Sequence, residues 1–188
     1  IYMNNNDLFE KVPISKAYFK LSLPVVLSMV ISLVYNMVDT FFVAQTQNTN
    51  LVAGVSLCAP IFTLMIALGD IFSIGGSSVI SRLFGQKQDE EGKNVSDFCF
   101  YGAIVCGILV SLIMMIARKP ILTILGTNQA TLPYASQYYT YMALGATLII
   151  VSLTPSNLMR TEGLATESMI GTITGSIINM ILDPIFIL

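Results

Sequence analysis

Histidine and tryptophan are absent from this 188-residue chain, and charged residues make up only 11% of it. Without histidine there is no His-based catalytic triad. The three cysteines, Cys58, Cys99 and Cys106, form no CxxC pair, so a structural zinc site is excluded as well. Cys99 and Cys106 lie seven residues apart on one predicted helix, about 10 Å along its axis, too far for a disulfide. The cysteines read as apolar, membrane-buried thiols. Soluble domains carry roughly a quarter charged residues, so the scarcity of charge argues against a soluble enzyme. No basic patch is present for nucleic acid.

What the chain has is apolar length: 54% of its residues are hydrophobic and its mean hydropathy is +0.75. Seventeen of the twenty charges fall in four clusters, at residues 7–20, 82–97, 118–119 and 160–167; the others are Asp39, Asp70 and Asp183. A spanning helix needs about 20 mostly apolar residues, and the stretches between clusters supply them. The expected fold is an all-α polytopic transmembrane bundle of five spans, over 17–45, 51–84, 94–117, 131–158 and 166–188, behind a cytoplasmic tail at 1–14. The long first apolar segment follows an Asn-rich tail and lacks a cleavage site, so it reads as a retained span. The chain starts with Ile and stops at Leu188 in mid-span, which reads as a fragment of a longer protein, ending before a sixth span.

Basic residues orient the bundle. With the N-terminus inside, seven lie on the cytoplasmic side (Lys11, Lys16, Lys20, Arg82, Lys87, Lys93 and Arg160) and two outside (Arg118 and Lys119). The positive-inside rule prefers that arrangement, in the plasma (inner) membrane, and makes Tyr134, Tyr138, Tyr139 and Tyr141 an outer aromatic belt. The charged run at 82–97 reads as a solvated connection.

An ionisable group within a span is costly, so the three isolated aspartates are the functional candidates. Asp39 lies 19 residues beyond Lys20, roughly 28 Å along a helix, and Asp183 lies 16 beyond Glu167, roughly 24 Å. Both reach similar depth in the outer half of the bilayer. Asp39 ends a polar line of Ser28, Ser32 and Asn36, and Asp183 ends another of Gly171, Gly175 and Asn179. Gly171 and Gly175 are expected to admit a neighbouring backbone. Pro184 leaves the Met180 carbonyl without its helical donor, a further oxygen ligand, and Pro24 makes the first helix easier to bend. Such oxygens suit Na+, and a desolvated carboxylate suits H+; the residues admit either as coupling ion, and no cofactor is implied. A lone membrane aspartate also serves as a protonated hydrogen-bond donor between helices. For Asp70, on a face with Ser73, Ser77 and Ser81 and closer to the cytoplasm, that structural role outweighs a share in the ion site. The ten methionines could line an adaptable cavity, but packing explains most of them equally well.

Several segments carry a resemblance. Pro24 followed by Asp39 in YNMVDTFFVAQ, the connection SRLFGQKQDEEGKNV, RTEGLATES, and NMILDPIFIL resemble a bacterial multidrug and toxic compound extrusion (MATE) transporter over nearly the whole chain. The resemblance implies twelve helices in two lobes, with this chain as most of the N-terminal lobe and the C-terminal lobe missing. It implies export of drug-like organic cations in exchange for Na+ or H+. Asp39, Asn179 and Asp183 correspond to the family's coupling-ion site and Pro24 to its bending proline; Asn36, Met180 and Asp70 are accessory candidates on the residue reading alone. Asp70 matches no position of the family pattern.

Other readings stay open at this point. A lipid or lipid-linked oligosaccharide flippase of the same superfamily would carry Arg and Lys in its cavity. A non-transporting remnant is a further reading. An intramembrane aspartyl protease needs GxGD, but Ala67-Leu68-Gly69-Asp70 lacks the first glycine, and no Tyr-Asp pair occurs. The chain is therefore read as a transporter part and not an enzyme.

Overall fold

A computed structural model describes residues 13–187. Most of the expected N-terminal tail, Lys11 with it, and Leu188 lie outside the described residues. The described residues contain seven helices in chain order: α1 (Ile14–Gln45), α2 (Thr49–Leu57), α3 (Ala59–Gly85), α4 (Asp89–Ile116), α5 (Arg118–Ile124), α6 (Leu132–Thr161) and α7 (Ala165–Ile187). Among the described residues five segments are long and apolar enough to cross a membrane: Ile14–Val43, Thr49–Gly85, Asp89–Ile116, Leu132–Thr161 and Ala165–Ile185. Their exposed apolar side chains, such as Leu33, Met37, Leu112 and Leu148, form a surface suited to lipid.

Three local features differ from the sequence reading. The second span is broken at Cys58, which ends α2 and begins α3, with a proline in the first turn of α3. α4 starts at Asp89, so much of the stretch expected as a solvated connection is helical. Asp89, Glu90 and Glu91 form its first turn, where negative charge is favoured by the helix dipole. The connection before the fourth span contains the short helix α5, whose third residue is Pro120, in the first turn where a missing N–H costs nothing.

The chain divides into two compact units. Residues Gln47–Pro155 form one; the other combines the segment up to Thr46 with that from Ser156 onward, so the division falls within α6.

In the Gln47–Pro155 unit, α6 is the helix on which the others pack. Its buried face carries Ala135, Tyr139, Met142, Ala143, Ala146, Ile150 and Thr154. Helices in lipid gain little from hydrophobic burial against one another, so small residues and interhelical hydrogen bonds hold them. Gly54 of α2 lies against Ala135, Gly69 of α3 against Ile150 and Leu153, and Gly107 of α4 against Thr147. The Ser111 hydroxyl donates to the Ala143 carbonyl at 2.7 Å, and the Tyr139 hydroxyl to the Met114 carbonyl at 2.8 Å. Tyr139 is 0% exposed and therefore no member of an aromatic belt. Tyr134 is half-buried and accepts from Asn48, while Tyr138 and Tyr141 are exposed. All three cysteines are free thiols, Cys58 and Cys99 buried and Cys106 half-buried.

Gly107→Ala is expected to destabilise the protein, because the new Cβ would stand 2.7 Å from the Thr147 Cα. Overpacking of this kind costs about 1–3 kcal/mol. At Gly145 a Cβ meets nothing within 4 Å. Gly145→Ala should leave stability unchanged or raise it by up to about 1 kcal/mol through helix propensity. Thermal unfolding in detergent distinguishes the two variants.

Candidate ion-coupling site

The other unit is built on α1 and α7, which pack side by side. The seam between them is polar and small: Ser28 is 2% exposed and Ser176 7%, with Ser32 and Thr172 half-buried. The Ser28, Ser32 and Thr172 hydroxyls donate to carbonyls of their own helices, those of Val25, Ser28 and Ser168. Their protons are thereby satisfied, and the oxygens remain as compact acceptors in a tight seam.

Both helices carry the same spacing. Ser28, Ser32 and Asp39 stand at intervals of four and seven, and so do Thr172, Ser176 and Asp183. At 3.6 residues per turn, each aspartate lies within about 20° of its two hydroxyl residues. Asp39 and Asp183, both near the C-terminal ends of their helices, are half-buried and within electrostatic reach of each other. This duplicated pattern is a signal that the sequence reading missed.

Asp183 has a buried oxygen, Oδ2, that makes no hydrogen bond among the described residues. A buried acceptor without a donor costs about 1–3 kcal/mol, and more when it is charged. A proton or a cation arriving there would remove that cost. Pro184 lies inside α7 directly after Asp183 and cannot donate to the Met180 carbonyl, which leaves a second oxygen one turn away. Pro24 likewise lies inside α1. No group of three or more His, Cys, Asp or Glu side chains suited to a metal ion occurs among the described residues.

The remaining expected residues are placed differently. Asn36 and Asn179 are exposed, beside the seam rather than within it. Gly171 and Gly175 are exposed too, and a Cβ on either would meet nothing within 4 Å, so neither hosts a close neighbour. The reason is angular. A spacing of four residues drifts by about 40° per step, so the line from Gly171 to Asp183 winds about 120° around the helix. Asp70 belongs to the Gln47–Pro155 unit.

At the opposite end of α7, Arg160 was expected in a connection but lies in the last turn of α6. Its Nε donates to the Ser168 hydroxyl at 3.1 Å, and Ser168 donates to the Ser156 carbonyl at 3.1 Å. This relay fastens the start of α7 to the end of α6.

With this geometry in view, similarity to known proteins is informative. Residues 24–185 match the MatE family model. The chain is 34% identical over 179 residues to the multidrug export protein MepA of Staphylococcus aureus, and 33% identical to that of Staphylococcus saprophyticus. Each match covers 95% of this chain and 40% of the relative, so the chain spans about two fifths of their length. Among solved structures, an outward-facing multidrug resistance MATE family transporter of the MOP superfamily superposes with a TM-score of 0.91 at 28% identity, covering 100% of this chain and 41% of that one. A MOP superfamily transporter from Pyrococcus furiosus, described as having a binding pocket of reverse polarity that suggests a different function, matches with the same figures.

The seam makes a stability prediction. Ser176→Leu places a large side chain between α1 and α7 and should lower stability by about 1–3 kcal/mol. Gly175→Leu, one residue away on the open side, should cost nothing by crowding. Equal thermal stability of the two variants would contradict the packing described.

Proposed function

Because the chain belongs to the MatE family, whose model it matches over residues 24–185, we propose that it forms the N-terminal lobe of a secondary active efflux transporter. Such a protein would export drug-like organic cations in exchange for Na+ or H+. The observation that carries this reading is the pairing of Asp39 on α1 with Asp183 on α7, the latter with an orphaned buried oxygen.

The exchange runs through these carboxylates. In the empty, outward-open lobe they are anionic and favour a cationic drug nearby. Arrival of H+ or Na+ cancels one of the two negative charges, relieves the repulsion between the two carboxylates, and releases the drug to the outside. Asn179, Asn36 and the Met180 carbonyl stand at the edge of the seam, where they supply neutral oxygens to the ion or the drug. A ligand shifts a conformational equilibrium only through unequal affinity for the two states, and a charge that is present in one state and cancelled in the other provides that inequality. Pro24 and Pro184 each leave one carbonyl free and lower the cost of bending their helices at these points.

Basic residues orient the lobe in the cell membrane with its N-terminus cytoplasmic. Lys16, Lys20, Arg82, Lys87, Lys93 and Arg160 then lie inside, and Arg118 and Lys119 outside. A flippase for lipid pyrophosphates would need cationic side chains where this seam carries two carboxylates. The transporter reading is favoured on that ground.

In the full-length protein, Asp39→Asn and Asp183→Asn should each reduce drug resistance to that of cells lacking the transporter, with membrane expression unchanged. Resistance retained by both variants would refute the assignment. Efflux from vesicles under a Na+ gradient, compared with a pH gradient, identifies the coupling ion.

A further inference from the structure

The Gln47–Pro155 unit carries an apolar groove that the proposed antiport does not use. It runs between α3 and α4 and has a volume of about 710 Å³. Phe72 of α3 and Phe98, Tyr101, Gly102, Cys106 and Val110 of α4 are among its walls.

Glycine contacts fix how the groove forms and where it opens. Gly76 lies against Cys99, Gly92 against Phe84, and Gly102 against the Phe72 ring, so α3 and α4 are antiparallel. Gly102 has no side chain, which lets the Phe72 ring come down on α4 with the groove beside it. Gly69 of α3 and Gly107 of α4 both pack on α6. They stand about 60° from Phe72 and about 140° from Gly102, on the same side of the α3–α4 contact. Tyr101 and Val105 lie to the other side of Gly102 and are exposed, so the groove opens away from α6.

Its walls suit a hydrocarbon chain better than a helix. Helices in a membrane hold one another through small residues and interhelical hydrogen bonds. Here Phe72 already covers the one glycine, and bulky Phe98, Val105 and Leu109 make up much of the rest. A flexible acyl chain needs no such grip. The groove follows α4 from Phe98 to Val110, about 18 Å, close to the roughly 15 Å hydrocarbon depth of one leaflet.

A cation stands at one end. The register that pairs Gly76 with Cys99 and Phe84 with Gly92 sets Arg82 level with Lys93, about 8 Å beyond Phe98 toward the α3–α4 connection. Lys93 is paired with Glu90 at 3.3 Å. Arg82 is exposed and has no ion pair or hydrogen bond among the described residues. It stands about 80° from Phe72 on the side away from Gly69, which is the side on which the groove opens. A long arginine side chain extends to headgroup level, and its guanidinium binds phosphate through two parallel N–H bonds.

We propose that this groove binds one acyl chain of a membrane phospholipid whose phosphate is held by Arg82. The lipid belongs to the leaflet on the side of the α3–α4 connection, cytoplasmic in the orientation given above. Asp89, Glu90 and Glu91 in the first turn of α4 disfavour a headgroup of net negative charge, so the lipid is zwitterionic. The site lies within a single unit and involves neither Asp39 nor Asp183.

The test titrates full-length protein in maltoside micelles with phosphatidylethanolamine that carries a photoactivatable diazirine midway along one acyl chain. Labelled residues are mapped by mass spectrometry. Labelling of residues 98–110 is expected to saturate and to exceed that of 144–148 on α6, where Leu144 and Leu148 are also exposed. Val105→Trp, which fills the groove from its exposed edge, should abolish the saturable labelling, and Leu148→Trp should leave it unchanged. Arg82→Gln, or diacylglycerol with the same label, should raise the half-saturating concentration by about tenfold, through loss of one charge-assisted pair. The proposal is overturned if residues 98–110 are labelled no more than 144–148, as when another part of the protein covers the groove. It is overturned equally if Val105→Trp changes nothing or if diacylglycerol matches the phospholipid. Should Val105→Trp fail to fold, an unchanged half-saturation in Arg82→Gln overturns it. Failure of the drug-resistance test leaves this readout unaffected.

Discussion

In hydrocarbon a polar group has no water to turn to, and this constraint organises the whole structure. Hydroxyls along the spans donate to carbonyls of their own helix one turn back, as Ser32, Thr40 and Ser77 do. Others reach across to a neighbour, as Ser111 and Tyr139 do between α4 and α6. Large apolar side chains are free to face outward because lipid receives them as readily as protein would. The interior of the packed unit is consequently built of Ala, Gly, Ser and Thr as much as of bulky aliphatics.

Against that background two buried side-chain oxygens without a partner stand apart among the described residues. Asp183 Oδ2 lies in one unit and Thr154 Oγ1 in the other, each directly before a proline inside its helix. Proline removes a backbone donor and leaves a carbonyl exposed one turn earlier. At Asp183 this gathers acceptors without a donor, at a cost that a proton or cation can relieve, whereas the Thr154 hydroxyl brings a donor of its own.

Family membership sets the frame for this chemistry but does not decide it. Structures that superpose equally well on this chain include a multidrug resistance transporter and one whose reversed pocket polarity suggests a different function. Function on a shared fold resides in the particular side chains of the site. In the proposed site those side chains are carboxylates, Asp39 and Asp183, beside a seam of serine and threonine.

Much was legible before any coordinates. Charge clusters separated by long apolar runs determined five spans and an all-helical fold, because spanning length and desolvation cost are properties of composition. The cost of an intramembrane carboxylate was enough to mark Asp39, Asp70 and Asp183. Which neighbours they meet depended on helix rotation, which accumulates with distance along the chain. The four-residue lines drawn through Asn179 and Gly171 drifted off the packed face, while the intervals of seven and eleven through Ser176 and Thr172 stayed on it. The burial of Tyr139 and the isolation of the Thr154 hydroxyl were likewise beyond sequence reasoning, since each is settled by the helix on the far side of an interface. Local composition decides which segments enter the membrane; only three-dimensional packing decides which oxygen is left there without a donor.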